Sequence, residues 1–438
     1  MEKHRNLEWI LLGLILLIGG GLRFAWIFYC DTVPVFDFLK YHLGAVSLAS
    51  GEGYKLFGQY TAFEPIGFGA WLAFLYRVFG VNILIPKIAN VLMGIDSLFI
   101  VYLLGRRYFS GKTGLLAAFM MSLAPRQILY TSVLSTEIIF TYVLLITLLL
   151  FSLPTDSIWK TLGLGVLGAI LAFIKPFMLL FPGLALGFFL WQAWMDKENV
   201  EKEVVVDTRE EIVLSVKKSL LVLLVMVICI FPWTLRNFRV FDRVIPISTN
   251  GGITLYLNNN DAAEGHWQDP FLIPGSPIQG LRDEDTGFWD ELAVDELAGA
   301  EGKRWIKENP GRFFLLGWKK TYHVYKNASD VQFAIDYTSS GGPLVNRGWI
   351  YSLSDNAHKL LLAGMLFYLI MGVRNLFYEK NHLWGQGNLL MVWLLFSATF
   401  FVFEGQPRYL FPLVPVFLLL IAWGINQAAN IFRQERER

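Results

Sequence analysis

Apolar runs of about 20 residues recur along the chain, separated by short charged turns. They predict ten membrane spans, over residues 7–29, 84–104, 114–133, 137–153, 159–174, 176–195, 218–235, 357–377, 386–403 and 408–427. One further stretch, Ile66 to Phe79, is too short to cross, follows Glu64-Pro65 and contains Arg77, so it reads as an interfacial or re-entrant helix. With that stretch left uncrossed, Lys3/Arg5, Arg106/Arg107/Lys112, Lys160, Arg374/Lys380 and Arg433/Arg436/Arg438 fall on one side, together with the loop Asp196–Lys218. Basic turns mark the cytoplasmic face, so both termini are predicted there.

Two larger polar segments then face outward. Residues 31–83 form a first outer loop within a transmembrane module, 1–236. Residues 237–356 are polar enough and long enough for a small extracytoplasmic domain, and 357–438 return to the membrane as C-terminal spans. The outer domain opens with the turn-rich Ser248-Thr-Asn-Gly-Gly252 and Asn258-Asn-Asn-Asp261, and the pattern predicts a helix over Asp290–Lys307. From Asn309-Pro310-Gly311 to Lys320 the mix of aromatic and basic residues suits a helix lying on the membrane.

Composition agrees with a polytopic all-α membrane protein: 55% of the 438 residues are hydrophobic and 17% are charged. A net charge of +1 argues against a nucleic-acid partner. Cys30 and Cys229, the two cysteines, lie far apart in the predicted topology and are expected to be unpaired. The run from Leu7 to Tyr29 is too long for a signal-peptide core and is read as an uncleaved first span.

Ionisable groups near span ends are the candidates for chemistry. Asp37 heads Asp37-Phe-Leu-Lys-Tyr41 just outside the first span, where it suits either a general base or an N-cap of the following helix. Glu137, in Ser135-Thr-Glu137, suits the start of a helix electrostatically. Lys175, Arg236 and Arg408 are all predicted at the outer interface, where they either converge on a lipid phosphate or snorkel separately to headgroups. Arg126 and Asp96 fall at similar predicted depth, which suggests a mutual salt bridge. His266, beside Trp267, reads first as a packing residue, and Asn327-Ala-Ser329 matches a glycosylation sequon. No phosphate loop, zinc spacing or nucleophile elbow is found.

Taken in order, these pieces resemble the GT-C membrane glycosyltransferases, in the bacterial branch related to protein O-mannosyltransferases and the lipid A aminoarabinose transferase. The resemblance rests on Asp37-x-x-x-Tyr41 leading to Gly51-x-Gly-Tyr54, then Glu64-Pro-Ile-Gly67, Ser135-Thr-Glu137, Phe173-Ile-Lys175, Pro232-Trp-Thr-Leu-Arg-Asn237 and Arg408-Tyr409. It covers the first 260 residues well and the remainder in patches. It implies a GT-C fold in the cytoplasmic membrane, with an outward active site that transfers a sugar, with inversion, from a polyprenyl-phosphate donor to a glycan, lipid or protein acceptor. Asp37 would be the base, with Lys175 and Arg408 on the donor phosphate and Arg126 and Arg236 as further candidates there. Tyr41, Tyr54, Glu64, Glu137, Asn259, His266 and Tyr409 are the substrate-binding candidates. Phe38 follows Asp37, where some relatives carry a second acid, so a divalent cation is a cofactor the resemblance leaves open.

Rival readings make different demands. A transporter or flippase for a lipid-linked glycan would show internal symmetry or midplane helix breaks. A scaffold would not need Asp37, and a polymerase or ligase would use a diphosphate-linked donor.

Overall fold

The computed structural model describes residues 2–154, 157–199, 208–283, 287–378 and 383–437. Lys380, Arg438 and residues 200–207 of the charged loop lie outside them. The regular elements of the described residues are helices, apart from one two-stranded hairpin, β1 (Lys55–Leu56) and β2 (Gln59–Tyr60).

Helix α1 (Glu2–Tyr29) leads into the first long loop, which holds α2 (Asp37–Ala49), the hairpin and α3 (Ile66–Phe79). The short apolar stretch is thus a helix over the expected residues, about 21 Å long and shorter than a hydrocarbon core. It packs on α2 and on the later helix Ile158–Ile174. Its close approach requires Gly67, where a Cβ would meet the Phe173 carbonyl carbon at 2.6 Å.

Helix α4 (Leu84–Tyr108) is the central crossing. The expected span 114–133 is not continuous: it divides into α5 (Gly111–Leu123), α6 (Pro125–Leu129) and a 3-10 turn, Tyr130–Ser132. Pro125 forces the break, because the residue before proline is driven out of the helical region and Ala124 is extended. The freed carbonyls at the end of α5 are met by Arg23, whose guanidinium donates to Met121 and Ser122 at 3.4 Å and to Gly19 at 2.9 Å. Arg23 is fully buried, and Gly94 opposite it leaves room for the side chain.

Then follow α7 (Thr136–Ser152), α8 (Ile158–Ile174), a 3-10 turn from Pro176, α9 (Phe181–Asn199) and α10 (Thr208–Phe241). The polar segment 237–356, expected to face outward and called the outer segment on that expectation, carries α11 (Gly251–Leu257), α12 (Glu291–Glu308), α13 (Pro310–Tyr325) and α14 (Gln332–Ile335). Asp290 caps α12 through the amides of Leu292 and Ala293, which explains why that helix starts where its polarity pattern predicts. Ile253, Tyr256, Phe271, Ile273, Ile278, Val294 and Ala298 form a core of their own here, distinct from the transmembrane core. Phe314, Leu315, Trp318 and Tyr322 leave an exposed aromatic face on α13.

The chain ends with α15 (Arg347–Tyr378), α16 (Leu383–Val402), a 3-10 segment Pro407–Leu413 and α17 (Val414–Glu437). Seven described segments are long and apolar enough to cross a membrane, and α7 and α8 fall just short in length. Arg106, Arg107 and Lys160 gather at one end of the bundle, bonded to Glu8 and to carbonyls of residues 151–153. At the other end the first loop is stitched to the outer segment by a Thr32–Thr338 bridge and by the Cys30 thiol donating to the Ala334 carbonyl. Both cysteines are free, as expected.

Candidate active site

A cavity of about 1180 Å³ opens at that second end, between the first loop, the span ends and the outer segment. Asp37, Lys40, Tyr41, Glu64, Glu137, Lys175, Arg408 and Tyr409 line it together.

Asp37 is the first residue of α2, not its cap: Phe36 holds the cap position, and no side-chain cap bond is made there. The N-cap reading is therefore replaced by another, in which the carboxylate is turned to cations. Phe36 enters the helix with φ 51°, a conformation costly for a non-glycine residue, and rests edge-on against Tyr337. Lys40, one turn along, lies 3.5 Å from Asp37 and 3.5 Å from Glu64. Arg408 reaches the other carboxylate oxygen of Asp37 at 3.4 Å.

The two acids on either side of Lys40 are driven apart in acidity. Burial raises the Asp37 carboxyl, but Arg408 and Lys40 more than offset this and hold it below its ordinary value. Burial, then the Asp37 charge, push Glu64 up to about 7 against the pull of Lys40. One acid is thus kept ionised while its neighbour is near half-protonation at neutral pH. Asp37 stays 41% exposed to the cavity and Glu64 6%.

Glu137 opens α7 as the sequence suggests, but its carboxylate is engaged beyond its own helix, meeting Lys175 at 3.3 Å. Lys175 is the extended residue between α8 and the turn at Pro176, a position that throws its side chain into the cavity. Its ammonium also lies 5.7 Å from the rings of Phe140 and Tyr409. Tyr409 donates to Glu404 at 2.7 Å, and Gln406 bonds the same carboxylate, which fixes the loop carrying Arg408. The outer segment supplies the facing wall with His266, Trp267, Asp269, Arg282, Trp289 and His323. Trp267 is 58% exposed, and His266 bonds Glu264 and meets His323 edge-on.

Four of the sequence candidates are elsewhere. Arg126 pairs with Asp330 at 2.8 Å, both side chains buried, and not with Asp96. Asp96 instead accepts from Tyr142. Arg236 is absent from the cavity wall: it donates to the carbonyls of Tyr54 and Thr61 and stacks on Trp233, tying α10 to the hairpin. Of the three cations expected to converge, two do so. Tyr54 packs in the core against Gly44 and Gly69. Asn259 accepts from Lys320 at 2.8 Å and donates to the Val402 carbonyl. Lys320, fully buried and with no carboxylate among its bonds, is pushed down to about 7 by burial.

Lys40, Glu404 and Lys320 were not singled out by sequence. Only Lys40 carried a signal, its i,i+3 spacing from Asp37. Among the described residues no three His, Cys, Asp or Glu side chains converge on one point. The cavity acids Asp37, Glu64 and Glu137 each face a cation of the chain itself, so these residues do not fit a divalent-cation site and no step is routed through one.

Residues 64–235 match the family model for dolichyl-phosphate-mannose-protein mannosyltransferase. Among curated proteins none matches the chain. In structure it is similar to the Archaeoglobus fulgidus oligosaccharyltransferase tethered with an acceptor peptide, with a TM-score of 0.54, 14% identity, and coverage of 98% of this chain and 50% of that one. The same archaeal protein, AglB, in complex with an inhibitory peptide and a dolichol-phosphate gives a TM-score of 0.54 at 14% identity, over 99% and 52%. ArnT from Cupriavidus metallidurans bound to undecaprenyl phosphate gives 0.45 at 13%, over 96% and 78%. The chain spans about half the length of the archaeal structures it matches. The chain thus has the GT-C fold, and its residues 64–235 are similar to the mannosyltransferase family.

Proposed function

We propose that the chain transfers a sugar from a polyprenyl-phosphate donor to an acceptor at the outer face of the cytoplasmic membrane. The observation that carries this is one cavity in which an ionised Asp37 lies beside Arg408, with Lys175 on the same wall. The archaeal structure holding a dolichol-phosphate has the same fold, which supports a lipid-phosphate donor here.

In the proposed step an acceptor oxygen or nitrogen attacks the anomeric carbon and its proton passes to Asp37. The bond from that carbon to the phosphate oxygen breaks, and the electron pair leaves with the phosphate. A single displacement of this kind inverts the anomeric centre. Charge gathers on the leaving phosphate in the transition state, where Arg408 offers a fork of donors and Lys175 a point charge. Tyr41, Glu64, Glu137 and Tyr409 fix these groups. Trp267, His266 and Asp269 on the outer wall suit a polar acceptor that stacks and hydrogen-bonds.

The cavity volume also admits a larger glycan, as a ligase using a diphosphate-linked donor would require. Incubation with labelled polyprenyl-phosphate and polyprenyl-diphosphate sugars, followed by identification of the labelled product, tests both. Transfer from the monophosphate supports the proposal, and transfer from neither donor removes it.

A further inference from the structure

Asp96 has no place in that cavity. It lies midway along α4, about 18 Å from either end, in one of the candidate spans. Its side chain is exposed on the outside of the bundle, and its hydrogen-bond partner among the described residues is the Tyr142 hydroxyl on α7, at 2.8 Å. Leu92, Phe99 and Leu103 share its face of α4 at helical spacing. Phe99 and Leu103 pack against the cluster of Leu12, Ile15, Tyr102 and Ala118, and α1 and α7 both contact α4. Leu92 and Asp96 are thus exposed on a strip of α4 flanked by α1 and α7, one carboxylate among apolar residues.

A carboxylate facing acyl chains at this depth is costly, and one phenol does not neutralise it. Lipid tails and a polyprenyl chain offer it no donor. A cation on an adjoining span does, and apolar neighbours would pack against the rest of the strip.

This chain's own cations fit less well: Arg23 is buried, Lys359 is paired with Asp355 at 2.7 Å, and Lys217 and Lys218 belong to the charged opening turns of α10. We propose that this strip of α4 packs against a transmembrane helix of a different membrane protein, which presents a lysine or arginine to Asp96. The proposal is independent of the transfer reaction.

Photocrosslinking from Leu92→benzoylphenylalanine, in membranes of the native host, tests it on the full chain. The expected result is a discrete adduct with an integral membrane protein that carries Lys or Arg inside a span. Asp96→Asn lowers its yield at least ten-fold, Asp96→Glu retains it, and Asp96→Lys combined with Asp at the partner's cation restores it. Adducts with lipid alone, with a second copy of this chain, or with a protein lacking that cation would overturn the proposal. So would a yield that Asp96→Asn leaves unchanged, or one that Asp96→Glu and Asp96→Asn abolish equally.

Discussion

Arg408 reaches back across 371 positions of chain to place a guanidinium nitrogen 3.4 Å from the carboxylate of Asp37. The contact does two things: it keeps the proposed base ionised, and it leaves a multidentate cation beside it for a departing phosphate. Asp37→Asn keeps the volume and removes the base. Transfer should fall about 10²- to 10⁴-fold with donor binding retained, as read by labelled-sugar transfer alongside donor binding in proteoliposomes. Wild-type turnover by this variant would eliminate the mechanism.

Lys175→Ala removes a cation from the donor wall and strands Glu137, which is 2% exposed in its side chain. The KM for the donor should rise by about ten-fold or more, equivalent to ~1.4 kcal/mol or more. Adding Glu137→Gln should recover thermal stability without recovering donor affinity. A double variant that regains both would reduce Lys175 to a structural partner.

Glu64 gives the protein a pH dependence of definite sign. Its carboxyl rises from 4.5 to about 7 on folding, so the folded state holds the proton more tightly. That stabilisation is complete below about pH 4.5 and is lost as pH climbs through about 7. Melting temperatures of wild type should therefore decline across this window relative to Glu64→Gln, which stays neutral. Parallel curves for the two proteins would show that Glu64 titrates normally.

Arg126→Ala should act on stability and spare the donor. Its partner Asp330 is 2% exposed and would be left as a buried, uncompensated charge, costing about 3–5 kcal/mol. Thermal unfolding of the purified variant measures that loss, and Arg126→Ala with Asp330→Ala should recover part of it. An unchanged melting temperature with a raised donor KM would return Arg126 to the donor site.

The helices were legible because their cause is local. Long apolar runs, the Asp290 cap and the short stretch Ile66–Phe79 between polar flanks each declare themselves within a few residues. The break in the third span is also local, written in Pro125, yet hydropathy averages across it. Cavity residues were legible as charges at span ends, as with Asp37, Lys175 and Arg408, or through short motifs, as with Tyr41, Glu64 and Tyr409. Arg126 misled because Asp330 lies 204 positions away, and nothing near Arg126 announces that partner. Arg23 and Lys320 escaped notice for a related reason: each is satisfied by backbone carbonyls or an amide, and such acceptors are present everywhere along a chain.

The opposing residues of the site are mounted very differently. Arg408 opens the closing segment, the most enclosed of the candidate spans, while Asp37 rides on a thirteen-residue helix in a loop pinned through Thr32 and Cys30 to the outer segment. The separation of acid and guanidinium is therefore set as much by how the first loop is held against residues 334–338 as by the packing of the spans.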